Sequence, residues 1–114
     1  AVKSMHLSTA TLVRTGLSFE IPEGYHMKLF MRSSQGAKTK FYLANCVGIV
    51  DSSYRGEVMG LFKITAGRRV EKYIHKGERF MQGLIEKNIP VEFEEANELS
   101  QTDRGEGGFG STGK

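Results

Sequence analysis

One stretch of the sequence combines a cation, hydroxyl groups and glycine in a way that suits anion binding. The run Arg32-Ser33-Ser34-Gln35-Gly36 places a guanidinium and two hydroxyls next to a glycine at the end of a predicted strand. Charge-assisted hydrogen bonds from such groups are what an anion site requires. The same composition is also typical of a polar turn, and the stretch alone does not decide between the two.

A second stretch brings a carboxylate and an aromatic ring to the end of an apolar strand. From Gly48 to Glu57 the chain passes from an apolar run into Asp51, a turn and Tyr54. Taken alone, the pattern predicts a hairpin that Asp51 caps.

The last twelve residues, Asp103–Lys114, form a glycine-rich tail with five glycines and one aromatic residue. One interpretation is a disordered tail, because glycine loses much backbone entropy on ordering and buries little. The other is a phosphate cradle that orders on a ligand, with Arg104 as cation and hydroxyls from Ser111 and Thr112. Phe109 favours the cradle, since an aromatic side chain among glycines can stack on a flat ring.

The elements that must position these residues are predicted to be strands. Helical periodicity is scarce, whereas short β-rich runs recur about every ten residues between turn signals. A short helical turn is predicted only within Ser33–Lys40. The pattern predicts an all-β fold, either a β-sandwich, a jelly roll or a small barrel. The predicted strands are Leu12–Ile21, Tyr25–Arg32, Phe41–Val50, Glu57–Thr65, Val70–His75, Arg79–Lys87 and Val91–Glu95.

Composition narrows the class of protein without naming an activity. The chain has 114 residues, of which 39% are hydrophobic and 25% charged, as expected of one soluble globular domain. The net charge of +3 is too small to indicate nucleic-acid binding, and neither a membrane span nor a signal segment is found. The single cysteine, Cys46, favours a reducing compartment. We therefore expect a cytoplasmic protein, or one in the host cytoplasm or nucleus if it is viral.

Taken together and in order, these stretches resemble the trimeric deoxyuridine triphosphatase (dUTPase) family. The resemblance extends from about Thr11 to the C-terminus and covers four of the family's five motifs. A single motif would be a weak signal, but four in order at compatible spacings form a specific one. The second to fifth motifs are similar to Arg32–Ser34, Asn45–Glu57, Gly77–Gln82 and Arg104–Gly113.

The sequence departs from the family pattern at several places. Met31 stands where a proline is usual, and Phe80, Met81 and Gly83 are atypical around a retained Gln82. The first motif, an Ala-Gly-x-Asp-Leu segment, would precede residue 1, so no residue here takes the role of its aspartate near the magnesium ion. Two expectations stay open: upstream residues are lacking from this chain, or the chain is a natural variant with weakened catalysis.

The resemblance implies an architecture and a reaction. The fold would be a distorted jelly roll or β-sandwich over residues 1–102, with residues 103–114 as a flexible lid. The activity would be hydrolysis of dUTP to dUMP and pyrophosphate, which keeps uracil out of DNA. Mg²⁺ would be held through substrate phosphates and water, with no metal ligands from the protein. The partners would be dUTP and two further copies of the chain, in a homotrimer with shared active sites.

The resemblance also implies roles for individual residues. Asp51 would be the general base, and Tyr54 would pack under the deoxyribose. An Asn45–Tyr54 hairpin would read uracil through its backbone, with a further contact from the Asn45 amide, and Phe109 would stack on the ring. The other implied substrate-binding residues, mostly phosphate contacts, are Arg32, Ser33, Ser34, Gly48, Gln82, Arg104, Gly110, Ser111 and Thr112.

Two alternative functions fit the same sequence less well. A dCTP deaminase relative would need a catalytic carboxylate on the strand after the hairpin, where Phe62 stands. A noncatalytic regulatory protein of dUTPase descent would not need Asp51, Tyr54 and the tail, all of which are present. The retained residues favour an enzyme.

Overall fold

The computed structural model describes residues 1–6, 10–65, 73–110 and 113. Within these residues the chain forms eight strands and one short helix. The elements are β1 (Met5–His6), β2 (Thr11–Arg14), β3 (Tyr25–Met31), α1 (Ser33–Lys38), β4 (Phe41–Leu43), β5 (Gly48–Asp51), β6 (Met59–Ile64), β7 (Tyr73–Ile74) and β8 (Met81–Lys87).

The strands form two three-stranded antiparallel sheets and one small ribbon. One sheet has the order β2-β6-β4, the other β5-β3-β8, and β1 pairs with β7. Buried and exposed residues alternate along β4, β5 and β6, as expected of strands with one face in a core. Two buried clusters result, one around Phe62 and one around Met27, and Met81 packs against both. The predicted all-β sandwich or jelly roll is confirmed.

Strand β3 is the centre of the second sheet. On one side His26 pairs with Asp51 and Leu29 with Gly48, and on the other side Phe30 pairs with Gln82. The strand ends one residue before Arg32. Its two ladders therefore place three of the four motifs relative to one another.

The predicted strands agree with the structure in part. Tyr25–Arg32 is confirmed as β3, and the helical turn predicted within Ser33–Lys40 is confirmed as α1. The single strand Phe41–Val50 is wrong, because β4 and β5 belong to different sheets and a turn at Ala44–Val47 separates them. Residues 70–72 of a further predicted strand lie outside the described residues, and residues 73–74 form β7.

Residues 88–110, which we call the C-terminal arm, leave the sheets after β8. The strand predicted at Val91–Glu95 is wrong, since these residues pair with no strand in the described chain. The radius of gyration is 19.1 Å, against about 13 Å for a compact chain of this length. The arm therefore projects from the body, and the side chain of Phe93 is 97% exposed.

We expect Phe62→Ala to lower the free energy of unfolding by about 3–5 kcal/mol. Phe62 is fully buried, and its ring meets that of Phe80 edge-to-face at 5.7 Å between centroids. Urea denaturation at fixed protein concentration measures the change. Lys63→Ala, at the exposed neighbour on β6, is the control and should shift the free energy by less than about 0.5 kcal/mol. Equal effects of the two changes would contradict the core assignment.

Candidate active site

A pocket of about 260 Å³ lies at the β5 edge of the second sheet. We call it the Asp51 pocket. It brings together Asn45, Gly48, Asp51 and Tyr54, all four of which come from the stretch that resembles the third motif. Its other walls are Leu12, Leu29, Ile49, Val50, Glu57, Val58 and Met59.

Asp51 ends β5 and is exposed to solvent. The turn that follows is closed by the Tyr54 N–H, which donates to the Asp51 carbonyl at 3.1 Å. The expected hairpin over Asn45–Tyr54 is wrong: β5 pairs with β3, and the segment after Asp51 forms no strand until β6. Because β5 is an edge strand, one row of its backbone N–H and C=O groups is not used by the sheet.

Two glycines shape the pocket. A Cβ atom on Gly48 would lie 3.2 Å from the Leu29 side chain and 3.6 Å from Asn45 Nδ2, so the missing side chain leaves room beside the Asn45 amide. A Cβ atom on Gly56 would lie 2.5 Å from the Tyr54 hydroxyl. The Tyr54 ring therefore lies directly over Gly56, where any side chain would displace it.

Glu57 is a pocket residue that sequence reasoning did not single out. The Tyr54 hydroxyl donates to the Glu57 carbonyl at 2.9 Å. The Glu57 carboxylate accepts from Arg14 Nε and from the Gly16 N–H, both at 2.8 Å. These hydrogen bonds hold the pKa of Glu57 below its usual value. Arg14 precedes Glu57 by 43 residues, so no local pattern could have revealed the pair.

A second cavity, of about 420 Å³, contains Arg32 and Gln82. We call it the Arg32 cavity. Arg32 Nη1 donates to the Arg79 carbonyl at 2.9 Å, and Gln82 is exposed on β8. The cavity is also lined by Ala1, Thr15, Leu17, Gly77, Glu78, Arg79, Phe80 and Met81, and it shares no residue with the Asp51 pocket.

The remaining predicted binding residues lie beside these cavities or away from them. Ser33 and Ser34 form the first turn of α1, directly after Arg32. Arg104 and Phe109 line neither cavity: Arg104 Nε donates to a carbonyl within the arm at 2.7 Å, and the Phe109 ring is fully exposed. Gly110 is exposed next to Phe109, whereas Ser111 and Thr112 lie outside the described residues.

Among the residues that the structure describes, no three His, Cys, Asp or Glu side chains lie close enough together to hold a metal ion. The one helix of the described chain is much too short to cross a bilayer.

The sequence profile of the dUTPase family matches residues 2–113 of the chain. The deoxyuridine 5'-triphosphate nucleotidohydrolase of Finegoldia magna is 41% identical over 103 residues, which cover 90% of this chain and 71% of the relative. The enzyme of the same name from Bdellovibrio bacteriovorus is 44% identical over 103 residues, covering 90% of this chain and 68% of the relative.

The fold agrees with that of a solved structure carrying a nucleotide. The dUTPase of Staphylococcus bacteriophage 80alpha, determined with dUpNHpp, superposes with a TM-score of 0.77 at 26% sequence identity. The match covers 97% of this chain and 80% of the phage protein. The profile, the relatives and the solved structure all point to one family. The chain belongs to the dUTPase family.

Proposed function

We propose that this chain hydrolyses dUTP to dUMP and pyrophosphate. The observation that carries the proposal is the Asp51 pocket, which unites a carboxylate, an amide, a glycine and an aromatic ring from one motif. The relatives at 41% and 44% identity bear the name of this activity. Deamination is not supported, because the position that would carry its carboxylate is Phe62, a fully buried core residue.

Asp51 is the general base of this reaction. Its carboxylate takes a proton from a water molecule whose oxygen attacks the α-phosphorus of dUTP. The bond from that phosphorus to the bridging oxygen breaks, and pyrophosphate leaves with the electron pair. The exposed position of Asp51 at the end of an edge strand leaves space for water and nucleotide on the same side.

Uracil is recognised by backbone and amide groups of the Asp51 pocket. The unused edge of β5 offers N–H and C=O groups to the polar edge of the base, and the Asn45 amide adds one contact. A thymine methyl group would collide with such a close fit, and cytosine would leave buried polar groups unpaired. The Tyr54 ring, held over Gly56, packs under the deoxyribose and excludes a 2′-hydroxyl.

The phosphate chain is bound by the Arg32 cavity and by the glycine-rich tail. Ser33 contacts the α- and β-phosphates, and Gln82 contacts the α-phosphate region. Arg104, Ser111 and Thr112 bind the γ-phosphate, and residues 103–114 act as a lid over the remaining 1–102. Mg²⁺ would be held mainly by triphosphate oxygens and water, and it would offset part of the phosphate charge.

The active unit is a homotrimer in which neighbouring chains complete each site. Within one chain the Asp51 pocket, the Arg32 cavity and the described residues of the glycine-rich tail are three separate groups. A second copy of the chain would also cover apolar side chains of the arm that one chain leaves exposed. Those exposed side chains are Ile89, Val91, Phe93 and Leu99.

Asp51→Asn should retain binding of dUpNHpp and lower kcat for dUTP by about 10²–10⁴, the range typical for loss of a general base. Pyrophosphate release measures kcat, and calorimetry measures binding. Glu23→Gln, at an exposed carboxylate outside the pocket, is the control and should leave kcat unchanged. Near wild-type turnover of the Asp51 variant would show that another group acts as the general base.

Tyr54→Ala should lower the preference for dUTP over UTP by about tenfold, because the ring that excludes the 2′-hydroxyl is removed. The measured quantity is the ratio of kcat/KM values for the two nucleotides. Tyr42→Ala, at a similarly exposed tyrosine outside the pocket, should preserve the ratio. A constant ratio in the Tyr54 variant would show that another residue excludes the 2′-hydroxyl.

Mixing two inactive variants tests the shared site. Deleting residues 104–114 removes the γ-phosphate ligands and the lid, and none of the described residues in that range belongs to the buried core. Asp51→Asn removes the base. If base and tail of one site come from different chains, co-refolding equal amounts should restore about a quarter of the sites. No recovery after verified subunit exchange would contradict the shared site.

A further inference from the structure

Helix α1 carries Ser33 and Ser34 but has little of its own to hold it in place. It spans six residues, which is far too short for an isolated helix to be stable. Its N-cap residue, Arg32, makes no side-chain capping hydrogen bond, and the first turn contains no acidic residue. The helix therefore depends on contacts with the rest of the fold.

Gln35 provides such a contact. It is 5% exposed and is the only buried polar residue in the part of the chain that the structure describes. Its Nε2 donates to Glu78 Oε1 at 2.7 Å, and Glu78 Oε2 accepts from the His75 N–H at 2.9 Å. Glu78 lies in the loop before β8, the same loop whose Arg79 carbonyl accepts from Arg32. Two hydrogen bonds thus join the start of α1 to the segment that leads into β8.

The orientation of the Gln35 amide follows from the charge of its partner. An ionised carboxylate only accepts hydrogen bonds, so the amide must present its nitrogen to Glu78. Burial raises the pKa of Glu78, but hydrogen bonds from the His75 N–H and the Gln35 amide, together with nearby positive charge, outweigh the effect of burial. The pKa of Glu78 therefore lies below its usual value. Gln35 Oε1 is buried without a hydrogen-bond partner among the described residues. The donor side of the amide therefore makes the contact with the loop.

We propose that Gln35 and Glu78 form a positioning pair that sets the two serines of α1 at a fixed distance from Gln82 on β8. Glu78 lines the Arg32 cavity, but the role of the pair is positional: it holds α1, with Arg32 at its start, against the loop that leads into β8. This inference rests on the proposed function, since it takes the phosphates of dUTP as the ligand of that cavity. It predicts that loss of the pair weakens phosphate binding and spares uracil and sugar binding in the Asp51 pocket.

Gln35→Leu tests the pair in the full chain. Leucine nearly fills the space and removes the buried oxygen that lacks a partner, while Glu78, only partly buried, keeps access to water. We expect the affinity for dUpNHpp, measured by calorimetry, to fall about tenfold, the scale of one hydrogen bond to a charged group. The affinity for 2′-deoxyuridine, which has no phosphates, should change by less than about twofold. Lys38→Gln, at an exposed residue of the same helix, is the control and should change neither affinity.

Exchanging the two residues provides a rescue. In Glu78→Gln alone, the contact becomes a hydrogen bond between two neutral amides, which is weaker than one to a carboxylate. In Gln35→Glu alone, two carboxylates face each other. When both substitutions are combined, the amide in the loop accepts from the His75 N–H through its oxygen and donates through its nitrogen to the carboxylate on α1. The double variant should bind dUpNHpp more tightly than either single variant, which is the coupling expected of a direct contact.

Hydrogen exchange without nucleotide separates this inference from the proposed function. In Gln35→Leu the amides of α1 should exchange about tenfold faster, while those of β3 keep their protection. Unchanged exchange of α1, equal losses for dUpNHpp and deoxyuridine, or a double variant no better than the single ones would each overturn the positioning role. Failure of the unaltered chain to bind dUpNHpp would instead count against the proposed function, and faster exchange of α1 would still support the pair.

Discussion

The pairing of β3 with its two neighbours is the constraint on which the rest of the structure depends. Its ladder to β5 positions Asp51 and Gly48, and its ladder to β8 positions Gln82. Because side chains alternate between the two faces of a strand, a slip of one residue in either ladder would turn these groups to the opposite face. The apolar cluster around Met27 prevents such a slip, since it would expose the buried face.

One face of the second sheet packs in the core, and the other carries proposed site residues. Met27, Leu29 and Val50 fill the core on one face, while Asp51 and Gln82 stand at exposed positions of β5 and β8. The proposed catalytic carboxylate therefore lies on the solvent-exposed side of the sheet. Its neighbour Glu57 is tied to Arg14 by a hydrogen bond and an ion pair, and this tie holds the backbone that accepts the Tyr54 hydroxyl.

The C-terminal arm leaves apolar side chains of the isolated chain exposed to solvent. Large apolar side chains such as Phe93 remain in water, and burying them against another chain would contribute about 1.5–3 kcal/mol each. Under the proposed trimer, stability and active-site completion depend on the same association, and both depend on protein concentration. Within one chain, the proposed Gln35–Glu78 pair contributes to the same site, because it joins two segments that each carry proposed phosphate-binding residues.

Much of the candidate site could be predicted from the sequence because its residues are close together in the chain. Asn45, Gly48, Asp51 and Tyr54 fall within ten residues, and a turn after a short strand is enough to bring them into one pocket. The helical turn at α1 and the strand β3 were likewise predicted from local patterns. Local patterns failed where a strand depends on a partner strand elsewhere in the chain. The alternation of Val91–Glu95 is typical of a strand, but this segment has no partner in the described chain.

The sequence by itself determined the all-β class and the order of the motifs, because these depend on residue type and short spacing. The proposal of Asp51 as the base came from the resemblance of those motifs to the family. Only the tertiary structure decided that β4 and β5 belong to different sheets, that Arg14 holds Glu57 and that Gln35 is buried against Glu78. Each of the two side-chain contacts joins residues 43 positions apart. Such contacts leave no periodic signal, because their free energy arises only when the packed sheets bring distant side chains together.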